Sequence, residues 1–313
     1  MPLYIAIPFL AVFLAIVLRR DIAQWMRERR RRSAVPAQMG AYRRQYEAEN
    51  PDTTPLTQEE IDGHRAWIAS LALPAVELVP APERPVAAGG TRLGGPVWLR
   101  EGEAWPADGR GVPLEFVAQV DFAELDSLPD FPEAGLLQFF VGRDDLFGAD
   151  FDDPAQGTAR VLWRPDGLEG GSLRTQSPVG ADDSHPWDRG AVRETGLPLV
   201  GRPAVHRPSA DDWRIEERLK GQLRRPGIDA LDDLLDGDEG EPSRHHHVGG
   251  YPVFTQYDFR APGHYDDFDR TLLRLTSDHH LIWGDMGEAV FMVRRADLME
   301  RDFSKAIFYW DCT

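Results

Sequence analysis

A glycine turn in the last third of the chain, His246-His247-Val248-Gly249-Gly250-Tyr251-Pro252, decides how the fold is interpreted. Gly94-Gly95-Pro96 repeats the paired glycines 155 positions earlier (249 minus 94). Gly287, which precedes an apolar run, likewise follows Gly135 by 152 positions (287 minus 135). Glycine is favoured where the backbone has a positive φ or lies close to a neighbouring strand. The nearly constant offset predicts two related β-rich units, although 29 glycines also allow a chance recurrence.

Apolar and alternating segments around these turns indicate further strands, and capping signals indicate helices. Strands are predicted at 114–121, 136–141, 161–163, 271–275, 281–283, 290–293 and 306–310. Helices are predicted at 57–73, 209–223 and 228–235, with a helical turn at 296–301 and a long loop at 165–196. The predicted fold class is therefore α+β: a mainly antiparallel β-sheet built from the two units, with flanking helices and one N-terminal transmembrane helix.

The composition excludes several classes of protein. The 313 residues are 42% hydrophobic, which is enough for a packed core, and the formal net charge is -17. Residues 1–32 hold seven arginines against Asp21 and Glu28, a net charge of +5, so the remainder carries -22. Such an acidic body repels phosphates, which disfavours nucleic acid as a partner. The single cysteine, Cys312, excludes an intrachain disulfide and a multi-cysteine zinc site.

The N-terminus has the pattern of a membrane anchor. An uncharged apolar run extends from Leu3 to Leu18, and Arg19 follows it directly. No charged side chain precedes the run. At about 1.5 Å per residue this run is slightly shorter than a hydrocarbon core of about 30 Å, which the bilayer can accommodate by thinning. A cleaved signal peptide is the competing interpretation, but it needs a basic residue before the run. The arginines after the run favour the cytoplasm.

These features predict three segments and a location. Residues 1–20 are the transmembrane anchor, 21–53 a basic juxtamembrane segment with a linker helix, and 54–313 the α+β domain. We expect a single-pass protein of the bacterial inner membrane, with its N-terminus outside and its domain in the cytoplasm.

A set of short motifs carries a family resemblance. The motifs are 116–119, 135–140, 144–148, 249–252 with Gln256, 283–287 and 310–312. Together they resemble the YwqG family, also called DUF1963, over about 77–313. The resemblance implies an α+β fold dominated by antiparallel sheet but no established activity, and members are associated with polymorphic-toxin immunity neighbourhoods. The anchor and the long loops at 165–196 and 233–245 depart from the family pattern.

Two of the candidate site residues lie in turns. Asp285, within Trp283-Gly284-Asp285, could be a general base with a raised pKa, or it could bind backbone N–H groups and hold the turn. Asp144 could belong to a cation loop, but Pro154 breaks the EF-hand pattern, so a cap on the turn that ends at Gly148 is favoured.

Other candidates are glutamines and histidines within apolar segments. Gln138 and Gln256 could line a pocket between the two β units or simply link strands. His247 and its neighbours could bind a metal, but no HExxH motif accompanies them, and a hydrogen bond to the backbone is favoured. No metal or cofactor is predicted, because phosphate-loop, Rossmann and nucleophile-elbow motifs are absent from the sequence.

Two functions follow as hypotheses. The first is a membrane-tethered, toxin-immunity-like binding module that recognises a basic protein through Gln138, Asp144, His247, Gln256, Trp283 and Asp285. The alternative is a hydrolase or small-ligand enzyme with an Asp/Gln/His pocket, in which Asp285 is the candidate catalytic residue. A scaffold within a larger membrane assembly is compatible with the same sequence, which does not indicate an oligomeric state.

Overall fold

The computed structural model describes residues 54–176, 180, 183–188, 190–219, 225–231 and 245–312. The predicted anchor and juxtamembrane segment, residues 1–53, lie outside these ranges. The described residues of 58–220 and 230–313 form one compact unit, which contains the whole sheet, and the described residues of 54–57 and 225–229 belong to another. In this smaller unit, the backbone N–H of Leu56 donates to the carbonyl of Pro226.

Twelve strands and four short α-helices are present in the described residues. The strands are β1 (Leu73–Pro80), β2 (Arg92–Leu93), β3 (Val97–Arg100), β4 (Glu115–Asp121), β5 (Leu136–Val141), β6 (Arg160–Arg164), β7 (Gly171–Arg174), β8 (Leu197–His206), β9 (His246–Gly249), β10 (Arg270–Thr276), β11 (Glu288–Val293) and β12 (Ile307–Asp311). The helices are α1 (Gln58–Ser70), α2 (Gly190–Thr195), α3 (Trp213–Leu219) and α4 (Arg295–Met299). Short 3-10 helices occur at Phe122–Glu124, Pro154–Gln156, Ile228–Leu231 and Phe303–Lys305.

Ten of the strands form one antiparallel sheet, in the order β12-β11-β10-β9-β1-β8-β2-β4-β5-β6. β3 and β7 form a separate two-stranded sheet. The prediction of a mainly antiparallel sheet is therefore confirmed, and the described residues contain few helices. None of these helices has the length and hydropathy that a membrane span requires.

The large sheet is strongly curled. β5 and β11 are seven positions apart in the strand order. In a flat sheet, steps of about 4.8 Å would separate them by about 34 Å. Instead, the rings of Phe139 in β5 and Phe291 in β11 are 5.0 Å apart. The inner face of the curl therefore holds the main hydrophobic core, which contains both phenylalanines.

The two halves of the sheet correspond strand by strand about the β1–β8 pair. The β4–β5 ladder has an extra residue at Val117, and the β10–β11 ladder has one at Leu272, 155 positions later (272 minus 117). All four glycines of the two Gly-Gly turns have positive φ, between 56° and 81°. The bulge and the Gly-Gly turn of one half of the sheet therefore recur in the corresponding strands and turns of the other half.

Each edge strand of the sheet has a 3-10 helix beside it. The 3-10 helix Phe303–Lys305 lies against β6, where the ring centroids of Phe303 and Trp163 are 5.1 Å apart. The 3-10 helix Pro154–Gln156 lies against β12.

The two central strands were not predicted. β1 and β8 contain Pro74, Pro80, Pro198 and Pro203, and proline removes a hydrogen-bond donor from a ladder. Each of these prolines has a ladder neighbour on one side only. In β1, strand β9 pairs with residues 75–78, so Pro74 and Pro80 face only β8. In β8, strand β2 pairs with residues 197–198 and β1 with 199–206, so Pro198 faces only β2 and Pro203 only β1.

The strand predicted at 281–283 was wrong, since only a bridge between Leu281 and Trp187 forms there. The loop predicted at 165–196 contains β7 and α2.

The helices predicted at 209–223 and 228–235 lie only partly within the described residues. α3 begins at Trp213, immediately after the buried Asp212, whose carboxylate accepts from the backbone N–H of Arg214. The helix predicted at 228–235 is a 3-10 helix over Ile228–Leu231, and residues 232–235 lie outside the described ranges.

Replacement of Gly94 tests the glycine turn. Gly94 has a φ of 56°, and a Cβ at this position would overlap the backbone oxygen of Val192. We expect Gly94→Ala to lower the free energy of unfolding by about 3 kcal/mol, the sum of left-handed strain and overpacking. Gly102→Ala is the matched control, because Gly102 has a φ of 75° but nothing within 4 Å of its Cβ. It should cost only about 1 kcal/mol. Urea unfolding measures both, and equal losses would contradict the close-approach argument.

Candidate functional site

The last strand, β12, organises a surface at one edge of the sheet. Tyr309 and Trp310 point to opposite faces of this strand, so both faces are aromatic. The indole N–H of Trp310 donates to the carbonyl of Leu146 at 2.8 Å. The ring of Phe147 lies 5.2 Å from Trp310 and 5.3 Å from Trp283. The turn at 144–148 is therefore packed against two tryptophans.

Asp144 holds this turn. Its Oδ1 accepts from the backbone N–H of Leu146 at 3.0 Å and of Gly148 at 2.9 Å. Phe147 has a φ of 51°, a conformation that a non-glycine residue adopts only with such support. The structure therefore places Asp144 as the turn cap that the sequence favoured.

The surface next to this turn is acidic. Residues 144–159 contain five aspartates and no lysine or arginine. Asp150 accepts from the backbone N–H groups of Asp152 and Asp153, so it stabilises its own turn. Asp145 and Asp152 are exposed. The segment therefore presents negative charge to solvent without nearby compensation from its own sequence.

Trp283 and Asp285 lie in a turn beside the C-terminal end of β12. Trp283 is fully buried, with its ring 5.9 Å from that of Phe308. A Cβ on Gly284 would be 2.6 Å from the sulfur of Cys312, so this turn lies directly on the C-terminal residues. Asp285 itself is exposed and is followed by the exposed Met286.

Gln256 is attached to the same end of the strand. Its backbone N–H donates to the carboxylate of Asp311 at 2.8 Å, and its side-chain amide donates to the carbonyl of Cys312 at 2.5 Å. Burial raises the pKa of Asp311, while the backbone N–H groups of Thr255 and Gln256 oppose this shift. Asp311 thus fixes the segment that contains Gln256 beside the strand.

Four exposed apolar side chains surround β12, and we call them the C-terminal patch: Leu146, Phe151, Tyr257 and Met286, which are 45%, 43%, 59% and 59% exposed. Phe151 lies 5.4 Å from Tyr309 and 5.7 Å from Trp310, measured between ring centroids. Burial raises the pKa of Tyr309, and the neighbouring Tyr257 raises it further. Only eight large apolar side chains of the described residues are this exposed, so half of them lie around one strand.

The family can be assigned from a match between residues 91–312 and a domain family described as a domain of unknown function, DUF1963. The match covers more than half of the chain. The chain belongs to the DUF1963 family. No curated protein shows a significant match to it. The matched region begins just before β2, whereas β1 precedes it and pairs with both β8 and β9. The folded DUF1963 sheet of this chain therefore includes residues upstream of the match.

Gln138 lies in the other half of the DUF1963 sheet. It is fully buried, its amide N–H donates to the carbonyl of Trp98 at 3.0 Å, and its oxygen accepts from Nε of Arg164 at 3.0 Å. Both ends of the amide are therefore used to join β5 to β3 and β6. This contact is the strand-linking alternative that the sequence left open for Gln138.

His247 lies in β9, three strands away from β12 in the sheet. It is fully buried in β9, and its Nδ1 lies 3.0 Å from the carbonyl of Gly249. Burial, together with His206 at 4.6 Å between ring centroids, lowers the pKa of His247 well below its usual value. Among the described residues, no group of three or more ligating side chains is arranged to hold a metal ion.

Charged residues that sequence reasoning missed surround His247. Arg274 of β10 lies opposite His247 in the ladder, and its guanidinium is 2.8 Å from the carboxylate of Glu288. Burial raises the pKa of Glu288 to about 7. The only sequence signal was a charge within an apolar strand, Leu272-Leu273-Arg274-Leu275, which is unusual for a buried position.

Three cavities lined by described residues contain neither Asp285, Gln138 nor Gln256. The structure brings Asp144, Gln256 and Asp285 to the region around β12, with Trp283 buried beneath them, and leaves Gln138 and His247 in other strands. The motifs that contain Asp144, Gln256 and Trp283 are far apart in the sequence, and only the curled sheet shows that they meet beside one strand.

Replacement of Asp144 tests its role in the turn. Asp144→Ala removes two hydrogen bonds to the backbone, so we expect the free energy of unfolding to fall by about 1 to 2 kcal/mol. Asp152→Ala is the matched control, because Asp152 is an exposed aspartate of the same segment. Its loss should change stability by less than about 0.5 kcal/mol. Thermal or urea unfolding separates the two, and a neutral Asp144→Ala would show that the turn does not depend on this cap.

Proposed function

We propose that this protein is a membrane-tethered cytoplasmic binding module whose C-terminal patch recognises a basic protein. The observation that carries the proposal is the coincidence of the four exposed apolar side chains with the aspartates of 144–153. Exposed apolar clusters with a polar rim are typical of protein interfaces, where aromatic side chains act as anchors.

The charge around the patch selects the partner. An interface with several unpaired carboxylates favours a partner with lysine and arginine on the opposing face, because complementary charge accelerates encounter and disfavours acidic competitors. The body outside residues 1–32 carries a net charge of -22, which extends the attraction beyond the patch itself (the total of -17 minus +5). A cationic toxin domain has this chemistry, as does a membrane protein with a basic cytoplasmic face.

The residues proposed for the enzyme alternative give that alternative less support than the binding module has. The amide of Gln138 is occupied at both ends, and Asp285 is exposed on a turn. A general base with a raised pKa requires a buried or like-charged environment. A binding surface requires only that Asp285 be exposed beside the apolar anchors, as it is.

The proposal includes the anchor and the origin of the sheet. An apolar run at Leu3–Leu18, followed by arginines, supports a single-pass anchor in the bacterial inner membrane, with the domain in the cytoplasm. Within DUF1963 we place the chain with the YwqG-like proteins on its sequence motifs.

We also propose that the two halves of the sheet are two copies of one β unit, supported by the equivalent bulges and Gly-Gly turns.

Charge reversal tests the C-terminal patch. We expect the full-length protein, isolated from native membranes in mild detergent, to retain a stoichiometric basic partner. The partner should be lost at about 0.5 M NaCl, because salt shortens the range of charge attraction to a few ångströms. Asp145→Lys with Asp152→Lys should also remove it. Quantitative mass spectrometry of the purified complexes measures both effects.

The control has the same change in charge at a distant surface. Glu101→Lys with Glu169→Lys replaces two exposed glutamates beside β3 and β7, so it should leave the partner bound. Loss of the partner with both pairs of substitutions would indicate a general charge effect. A partner that survives the Asp145 and Asp152 replacements would exclude this surface.

Deletion of residues 1–20 tests the anchor. The full-length protein should remain in the membrane pellet after an alkaline wash, since a transmembrane helix is not extracted as a peripheral protein is. The deletion should move the domain to the soluble fraction, and removal of 33–53 alone should not. Release of the full-length protein by the alkaline wash would contradict the proposed anchor.

A further inference from the structure

A cavity of about 400 Å³ lies on the opposite half of the sheet from the C-terminal patch. It is bounded by the loop at 81–90 and by residues of β2 and β8. Its polar lining residues are Arg84, Thr91, Arg92 and Glu124. The site is independent of the proposed binding surface.

Arg92 is an unusual residue for the wall of a cavity. It is only 1% exposed, and its Nη2 donates to the carbonyl of Pro96. Its Nε and Nη1 are buried without a hydrogen-bond partner, and no ion pair between described residues includes it. Burial lowers its pKa to about 10. A buried cation without a carboxylate is costly, and such unsatisfied donors require an explanation.

Neighbouring contacts offset only part of this cost. The guanidinium carbon of Arg92 lies 5.5 Å from the centroid of the Phe116 ring, a cation–π contact. Gln119 is the ladder partner of Arg92, and its Oε1 also lacks a hydrogen-bond partner. Unpaired donors and an unpaired acceptor therefore occur on two directly paired residues.

The loop at 81–90 covers Arg92. A Cβ placed on Gly196 would lie 3.1 Å from Val86 of this loop and 3.3 Å from the Arg92 side chain, so these two side chains are neighbours. Val86 is 41% exposed and free of packing on its outer side. The amide of Gln119 holds the end of the loop by donating to the carbonyls of Ala88 and Gly90. Val86 therefore lies beside the Arg92 side chain, and Gln119 holds the following end of the loop.

The charges of the cavity favour a particular ligand. Arg84 and Arg92 are positive and Glu124 is negative, so the lining carries a net charge of +1 within an acidic protein. Glu124 uses Oε2 to accept from the backbone N–H of Thr91 at 2.6 Å. Its other oxygen is available to a hydroxyl or amino group. Guanidinium groups bind carboxylates through two parallel hydrogen bonds.

We propose that this cavity binds a small carboxylic acid that carries a hydroxyl or amino group. The carboxylate pairs with the unsatisfied N–H groups of Arg92 after Val86 moves, and Arg84 adds a second positive charge at the entrance. The hydroxyl or amino group donates to Glu124. Arg92 is thus buried in the empty protein at a cost to stability that the ligand removes.

Calorimetric titration of the full-length protein tests the proposal. The probes are lactate, serine and mandelate, which share the carboxylate and the donor group but differ in size, and lactamide is the uncharged control. We expect at least one acid to bind and lactamide not to bind. Arg84→Ser, at an exposed position, should weaken binding about tenfold, as expected for the loss of one charge contact of about 1.4 kcal/mol.

Stability distinguishes a binding role of Arg92 from a structural one. Arg92→Met should abolish binding and raise Tm, because an apolar side chain replaces an unpaired buried charge. Arg164→Met is the matched control, since Arg164 is equally buried but is paired with Glu103 at 3.0 Å, and its loss should lower Tm. The proposal is overturned if none of the three acids binds, if lactamide binds equally well, or if binding survives Arg84→Ser unchanged. A fall in Tm for Arg92→Met that matches Arg164→Met would make Arg92 structural.

Discussion

The pairing of β1 with β8 is the interaction on which the rest of the sheet depends. Their ladder extends from Leu73 opposite His206 to Pro80 opposite Leu199 and joins the two halves of the molecule. β1 precedes the strands of the first half in sequence but pairs with β9 of the second, and β8 pairs with β2 of the first. Each half therefore obtains its innermost neighbour from the other half. Neither can complete its own ladder, so we expect the sheet to fold as one cooperative unit.

This arrangement explains which parts of the fold were predictable. Strands such as β5 and β11 are apolar except for Gln138 and Glu288, and they were recognised from sequence at nearly their observed bounds. β1 and β8 were not, because a sequence pattern shows that proline removes a donor but not whether a neighbour needs that donor. The same limit applies to Leu281, whose apolar neighbours reflect burial beside Trp187 and not a strand.

The site was predictable to the extent that it is local. The cap at Asp144 depends on residues two and four positions ahead, so its chemistry is visible in the sequence. The meeting of Asp144 with Trp283 and Gln256 depends on the curl of the sheet and on β12 as a common support. Arg92 and Glu288 could not be identified as buried charges, because side-chain burial at these positions is decided by the tertiary packing and not by residue type.

The prolines of the central strands also matter before the sheet exists. β8 begins 117 residues after β1 ends (197 minus 80). Ribosomes add about 5 to 20 residues per second, so β1 is synthesised about 10 s before β8, its first ladder partner. During that interval an apolar strand with a complete set of donors would be a template for aggregation. Pro74 and Pro80 flank the segment that later receives neighbours on both sides. They protect the nascent strand from the wrong partner without obstructing the right one.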